Sequence, residues 1–252
     1  MKRLLLPLML LLMACGAQAD GRRSGLLDMT PATQALQRDD GLNPAQLWLA
    51  GGDTAWAAAT GPQGRRCADC HGAVDTTMRG VAARYPAFDA EAGTALSLAG
   101  RINACRVRHQ GAAPLPAEDE TLLALEARVA RASRGMPIAP PDDARLQRAR
   151  ERGRALFGQR FGQLDLSCAD CHDTLAGRRL GGSVIPQGHP TAYPIYRLEW
   201  QSLGSLQRRL RTCFAGARAE VPPWGDADLV ALELHLMQRA AGMALESPGV
   251  RP

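Results

Sequence analysis

Cys213 lies among four arginines, Arg208, Arg209, Arg211 and Arg218. A thiolate is the nucleophilic and metal-binding form of cysteine, and nearby guanidinium groups favour it by lowering the thiol pKa. The same cations would hold a small dianion against the sulfur. Upstream stands Cys168-Ala169-Asp170-Cys171-His172, and an earlier copy reads Cys67-Ala68-Asp69-Cys70-His71. Two thiols at this spacing form thioethers with the vinyl groups of a haem, and the adjoining histidine becomes its proximal ligand. A redox Cys-x-x-Cys would need a surrounding βαβ pattern that is absent, and a zinc site would need more histidines than the chain offers. Two covalently attached haem c groups are therefore expected, held by Cys67, Cys70, Cys168 and Cys171, with His71 and His172 on the irons.

Each iron still needs a distal ligand. Met78, Met136 and Met243 are present, but Met136 and Met243 follow the closing helix of their halves, where a packing role is expected. Met78 has no counterpart in the second half. Cys105 and Cys213 sit at matching positions, in Arg101-Ile102-Asn103-Ala104-Cys105 and Arg209-Leu210-Arg211-Thr212-Cys213. Thiolate is an established haem ligand and a strong donor that favours oxidised iron. Cys105 and Cys213 are read as the distal metal ligands; a Cys105–Cys213 disulfide or free thiols are the alternatives, and His109 is a substitute ligand for the first haem. Arg209, four residues before Cys213, shares its face on a helix and can fork onto an anion there. It is the candidate substrate-binding residue, with Arg218 second. His189 is expected to be loop structure and His235 a surface or interdomain residue. Tyr196, Trp200 and Phe214 are expected to line the haem or its pocket. Together these residues describe a haem-linked reactive cysteine, Cys213, built for an anionic sulfur substrate.

The elements that position these groups repeat. The two Cys-x-x-Cys-His motifs are 101 residues apart, while Tyr85-Pro86 and Tyr193-Pro194, like Cys105 and Cys213, are 108 apart. Leu122-Leu123-Ala124-Leu125-Glu126 matches Leu229-Val230-Ala231-Leu232-Glu233 at an offset of 107, as Gly135-Met136 matches Gly242-Met243. One register shift explains the series, so a tandem duplication of a haem-binding domain is expected. Each copy reads as helix, haem motif, long loop, short helix with the lone cysteine, then closing helix. Leu122, Leu125 and Val129, and Leu229, Leu232 and Leu236, stand at helical spacing, with Gly135 and Gly242 as stops. Pro44 to Ala59 reads as a helix, and Asp142 or Asp143 caps another running through Phe157. Residues 20 to 43 read as an extended arm on a partner or on the second domain. The fold class is mostly α with little strand: residues 20–140 form the first cytochrome c-like domain and 141–252 the second.

Lys2 and Arg3, an apolar run from Leu4 to Met13, and Ala17-Gln18-Ala19 read as a secretory signal, residues 1–19, cleaved before Asp20. A lipoprotein-type cleavage before Cys15 is the weaker alternative, because Met13 fits such a box poorly. Setting Lys2 and Arg3 aside from 30 basic residues, against 25 acidic, leaves a net charge of +3. Bulk charge gives no reason to expect nucleic acid, and no later segment is long enough to span a membrane. Of seven cysteines, Cys15 falls in the signal and four belong to the haem motifs. That leaves Cys105 and Cys213, one for each.

In combination, Tyr85-Pro86-Ala87-Phe88-Asp89, Arg101 to Arg106, Ser167 to His172, Ala176 to Leu180, Tyr193 to Gln201 and the segment through Cys213 resemble the dihaem SoxA family of SoxAX cytochrome complexes. The resemblance covers nearly all of the chain after residue 19. It implies a periplasmic L-cysteine S-thiosulfotransferase that couples thiosulfate oxidatively to a cysteine of the SoxYZ carrier. It further implies a SoxX-type monohaem cytochrome c as partner and transfer of two electrons through haem to a cytochrome c acceptor. By resemblance, Cys213 is the catalytic cysteine, found in the family as a persulfide-type derivative, and Arg209 binds substrate. A dihaem electron carrier without cysteine chemistry is the rival; it would use methionine or histidine ligands. A dihaem peroxidase would need an open histidine-ligated iron beside distal acid–base groups.

Overall fold

The computed structural model describes residues 21–252, so the signal reading of residues 1–19 falls outside them. Residues 20 to 43 do not form an extended arm throughout. Ser24 caps a short 3-10 turn at Gly25–Asp28, and Thr30 caps helix α1 (Pro31–Arg38), its hydroxyl accepting from Thr33 N. Thr30-Pro31 is a cap followed by a residue whose fixed φ suits the first helical turn. The arm does lie on the second half. Gln37, 2% exposed, accepts from Val250 N at 3.0 Å, and the Asn43 amide donates to Pro248 O at 3.1 Å.

After the arm come α2 (Gln46–Ala57), α3 (Cys67–His71) and α4 (Val74–Thr77), then strands β1 (Ala87–Asp89) and β2 (Thr94–Leu96) in an antiparallel hairpin. Helix α5 (Leu98–Cys105) carries the lone cysteine, runs on into a π turn at Arg106–Gln110, and is followed by α6 (Glu120–Arg131). The second half begins at α7 (Gln147–Gly158), approached through a 3-10 turn that Asp143 caps. A π turn at Asp170–Thr174 carries the second motif. The hairpin β3 (Arg179–Leu180) and β4 (Ser183–Val184) comes next. Strands β5 (Ile195–Arg197) and β6 (Ser202–Gly204) pair antiparallel, and β7 (Gly249–Arg251) joins β5 in parallel after α8 (Leu206–Gly216) and α9 (Ala227–Arg239). The strands are two or three residues long, and the fold is mostly helical, as expected.

Two close helix crossings frame the motifs. At Gly52 of α2 an added Cβ would lie 2.4 Å from the Ala124 carbonyl oxygen of α6, and at Gly153 of α7 it would lie 2.0 Å from that of Ala231 in α9. Glycine lets the backbones approach there. Leu122, Leu125 and Val129 on α6, and Leu229, Leu232 and Leu236 on α9, are buried as their spacing predicts. Each contributes about 2 kcal/mol through burial. Arg128, nearly buried on α6, reaches Asp53 of α2 and Asp75 of α4, with 2.7 Å to the latter.

Besides the arm, the halves meet through an apolar cluster and a backbone ladder. Leu49, Leu123 and Ala127 pack with Tyr196, Leu203 and Val250. The segments after the closing helices also pair with each other: Gly135 N donates to Leu245 O (2.7 Å), Leu245 N to Met136 O (2.9 Å), Ile138 N to Met243 O (2.9 Å) and Gly242 N to Ile138 O (2.8 Å). Gly135 and Gly242 have φ of 81° and 84°, the left-handed conformation that stops a helix. Met136 thus lies in a ladder between the halves, and Met243 packs on the core cluster that contains Met78.

Candidate functional site

Each motif is built by its own short turn. In α3, Asp69 accepts from Arg66 N at 2.8 Å, satisfying an otherwise orphaned amide at the helix start. In the second motif Asp170 accepts from Ser167 N at 2.9 Å, and the Ser167 hydroxyl accepts from Asp170 N at 3.0 Å. This accounts for the aspartate that both motifs carry in third place. The i, i+3 spacing puts both thiols of a motif on one face, with the histidine following.

His172 is oriented by a 2.7 Å contact between its Nδ1 and the Pro186 carbonyl oxygen. A carbonyl only accepts, so Nδ1 carries the hydrogen and Nε2 is left as the lone-pair donor, the arrangement a metal ligand needs. Burial, against the opposing effect of the Pro186 hydrogen bond and helped by the Arg209 and Arg239 charges, holds this imidazole below the usual histidine range, hence neutral. His71 lies tilted against Trp56, 5.7 Å between ring centroids, and is lowered by burial and then by Arg101 and His109. His109 thus stays within electrostatic reach of the first site, though exposed.

All six cysteines among the described residues are free thiols. Each lone cysteine stands with its own motif. Burial and then Cys105 push the Cys67 thiol up; burial and then Cys213 push Cys168 to about 11; Cys171 is raised by burial and then Cys213. This leaves no place for the Cys105–Cys213 disulfide. A pair of thiols one turn apart, a following imidazole and a further thiol in the same half fit the donor set that a covalently held haem with a sulfur ligand would need. Cys67, Cys70, His71 and Cys105 would hold one group, and Cys168, Cys171, His172 and Cys213 the other.

Of the four arginines around Cys213, the structure separates one from the rest. Arg208 stacks on Trp200, 4.0 Å to the ring centroid, and lies 3.8 Å from Glu118. Arg211 donates to the Pro222 carbonyl and covers Trp224 at 4.3 Å. Arg218 ends the helix in a left-handed turn (φ 56°) with its side chain exposed. Arg209 alone of the four perturbs His172 and Tyr193, beside Cys213, and it makes no ion pair among the described residues. Cys213 itself lies at the surface of the polypeptide.

Several expectations need correction. Tyr196 does not line this pocket: it packs edge-on against Trp48 at 5.7 Å, between the halves. Trp200 serves as a shelf for Arg197 and Arg208. Phe214 stacks edge-on with Phe161 in the core cluster against which Cys168 packs, so it backs the motif. His235 is half-buried against Phe157 (5.2 Å) and is pushed down to about 4 by burial and nearby arginines. His189, by contrast, lies in loop structure as expected and bonds the Arg23 carbonyl, tying its loop to the arm. Sequence reasoning missed Arg197, Tyr193 and Arg239. Arg239 pairs with Asp173 at 2.6 Å and covers Phe157, beside the second motif.

Residues 51–138 match the family described as SoxA/TsdA, cytochrome c domain. The chain is 37% identical over 232 residues to the L-cysteine S-thiosulfotransferase subunit SoxA of Rhodovulum sulfidophilum, covering 92% of this chain and 81% of that one. It is 33% identical to the SoxA subunit of Pseudaminobacter salicylatoxidans, covering 94% and 83%. The crystal structure of SoxXA from P. pantotrophus superposes with a TM-score of 0.88 at 31% identity, covering 92% of this chain and 87% of that one.

Proposed function

The chain belongs to the SoxA family, and from that premise we propose that it is the dihaem subunit of a periplasmic L-cysteine S-thiosulfotransferase. The reaction joins the outer sulfur of thiosulfate to a cysteine thiol of a SoxYZ-type carrier, forming a disulfide-like S–S bond and releasing one proton and two electrons. Covalently attached haem c supplies one-electron redox chemistry beside the sulfur, with a cytochrome c as final acceptor. A SoxX-type monohaem cytochrome c is the partner subunit; a SoxXA complex is the structure this chain superposes on. Among the described residues no helix is long and apolar enough to cross a membrane.

The observation that carries this reading is Arg209. It sits one helical turn before an exposed cysteine, beside a neutral histidine, and no carboxylate among the described residues takes its charge. An electron carrier has no use for a thiolate beside such a cation. A dianion approaching an anionic sulfur does, since each charge-assisted contact is worth about 1.5–3 kcal/mol. Cys213 is assigned as ligand and catalytic sulfur, and Arg209 as the substrate clamp. The same order of elements in residues 20–140 and 141–252 supports two cytochrome c-like domains from one duplicated ancestor. The test is the mass of the carrier after incubation with thiosulfate, oxidised cytochrome c and the holo-complex. A thiosulfate adduct should form with the native chain and be lost with Cys213→Ser. Full adduct formation by that variant would remove the assignment.

A further inference from the structure

We infer that Arg197 is a second anion-binding group of the Cys213 pocket, and the residue that makes this pocket, rather than the one around Cys105, the place where a dianion binds. The inference rests on Cys213 being the reaction centre. Each half threads the same path. A Tyr-Pro pair leads into a three-residue strand, its hairpin partner, and a serine-capped helix bearing an arginine and, four residues on, the lone cysteine. The last residue of the first strand is Asp89 in one half and Arg197 in the other, opposite Thr94 and Ser202 respectively.

In the first half that position extinguishes the positive charge. Asp89, 5% exposed, accepts from Arg101, from both terminal nitrogens of Arg108 (2.8 Å each) and from Ala92 N (2.8 Å). Glu91 lies 3.0 Å from Arg108 as well. Arg101 is the counterpart of Arg209, and it is already neutralised.

In the second half the sign at that position is reversed. Arg197 lies within electrostatic reach of both Arg209 and Cys213. Arg197 is held over Trp200, 5.0 Å from the ring centroid, and Glu199, itself 51% exposed, takes one terminal nitrogen at 2.9 Å. Its Nε is buried and has no hydrogen-bond partner among the described residues. Arg197 keeps an orphaned Nε beside its one paired terminal nitrogen, and Arg209 makes no ion pair among the described residues. A dianion bridging them satisfies both and supplies an acceptor to the orphaned Nε.

The experiment compares Arg197→Gln with the native chain in the holo-complex. The thiosulfate KM should rise by about tenfold or more, and sulfate, used as a competing dianion, should inhibit correspondingly less, with kcat and haem content little changed. Arg152→Gln removes the same charge from a surface pair with Asp228, and should leave KM where it was. Arg197→Lys should recover part of the loss. Unchanged thiosulfate KM and sulfate inhibition in Arg197→Gln, alongside a raised KM in Arg209→Gln, would overturn the inference while leaving the function standing. Equal KM values for the Lys and Gln variants would also overturn it. Retained coupling by Cys213→Ser would remove the function and the inference together.

Discussion

Between the two halves lies a pair of carboxyl groups that no part of the sulfur chemistry uses, and their ionisation should dominate the pH dependence of stability. Glu126 on α6 and Glu233 on α9 occupy matching positions. Glu233 is 8% exposed, and Glu126 Oε2 is buried without a hydrogen-bond partner. Burial first, then Glu233 and Glu118, push Glu126 up to about 8 from 4.5; burial pushes Glu233 to about 7, against the opposing effect of a hydrogen bond from Gln207. A carboxyl that holds its proton more tightly when folded stabilises the fold fully below the unfolded pKa. That contribution is lost as pH rises towards the folded value. For Glu126 the window runs from 4.5 to about 8. Across three pH units of it the loss is on the order of 4 kcal/mol. Glu126→Gln, which keeps the volume and cannot ionise, should unfold with the native midpoint below pH 4.5 and be more stable than the native chain by a few kcal/mol at pH 8. Denaturant titrations of the holo-protein at pH 4, 6 and 8 measure this. A difference between the two proteins that does not grow with pH would refute the reasoning.

Two further outcomes follow from close approaches. Gly153→Ala should destabilise the holo-protein by about 1–3 kcal/mol in thermal or denaturant unfolding, because its Cβ would meet the Ala231 carbonyl; helix propensity alone would give a gain of about 1 kcal/mol. Gly188 has φ 74°, and a Cβ there would lie 3.0 Å from Cγ of His172. Gly188→Ala should turn that imidazole and shift the reduction potential of the haem proposed at His172, as read by redox titration of the holo-protein.

Local structure was legible in the sequence. Cys-x-x-Cys-His, the Arg-x-x-x-Cys turn and the leucine spacing of α6 and α9 each depend on residues within about two helical turns, and they fold as read. Thr30-Pro31 was equally legible as a cap and first turn, but its polar surroundings suggested extended chain. What escaped depends on contacts across the chain. The ladder joining Gly135–Ile138 to Gly242–Leu245, the seat of Tyr196 against Trp48, and the meeting of Glu126 with Glu233 all join residues from different halves. Arg197 is the instructive miss. The 108-residue offset that aligns Cys105 with Cys213 also aligns Asp89 with Arg197, so the reversal of charge was present in the sequence. Its meaning appeared only once Asp89 was seen to neutralise Arg101.

Low-temperature electron paramagnetic resonance of the oxidised holo-complex, native against Cys213→Ala, tests most directly whether sulfur at position 213 is joined to the second iron. The native spectrum should contain a low-spin histidine–thiolate signal from that haem, and the variant should lose it while keeping its haem content. An identical spectrum from both proteins would contradict the account.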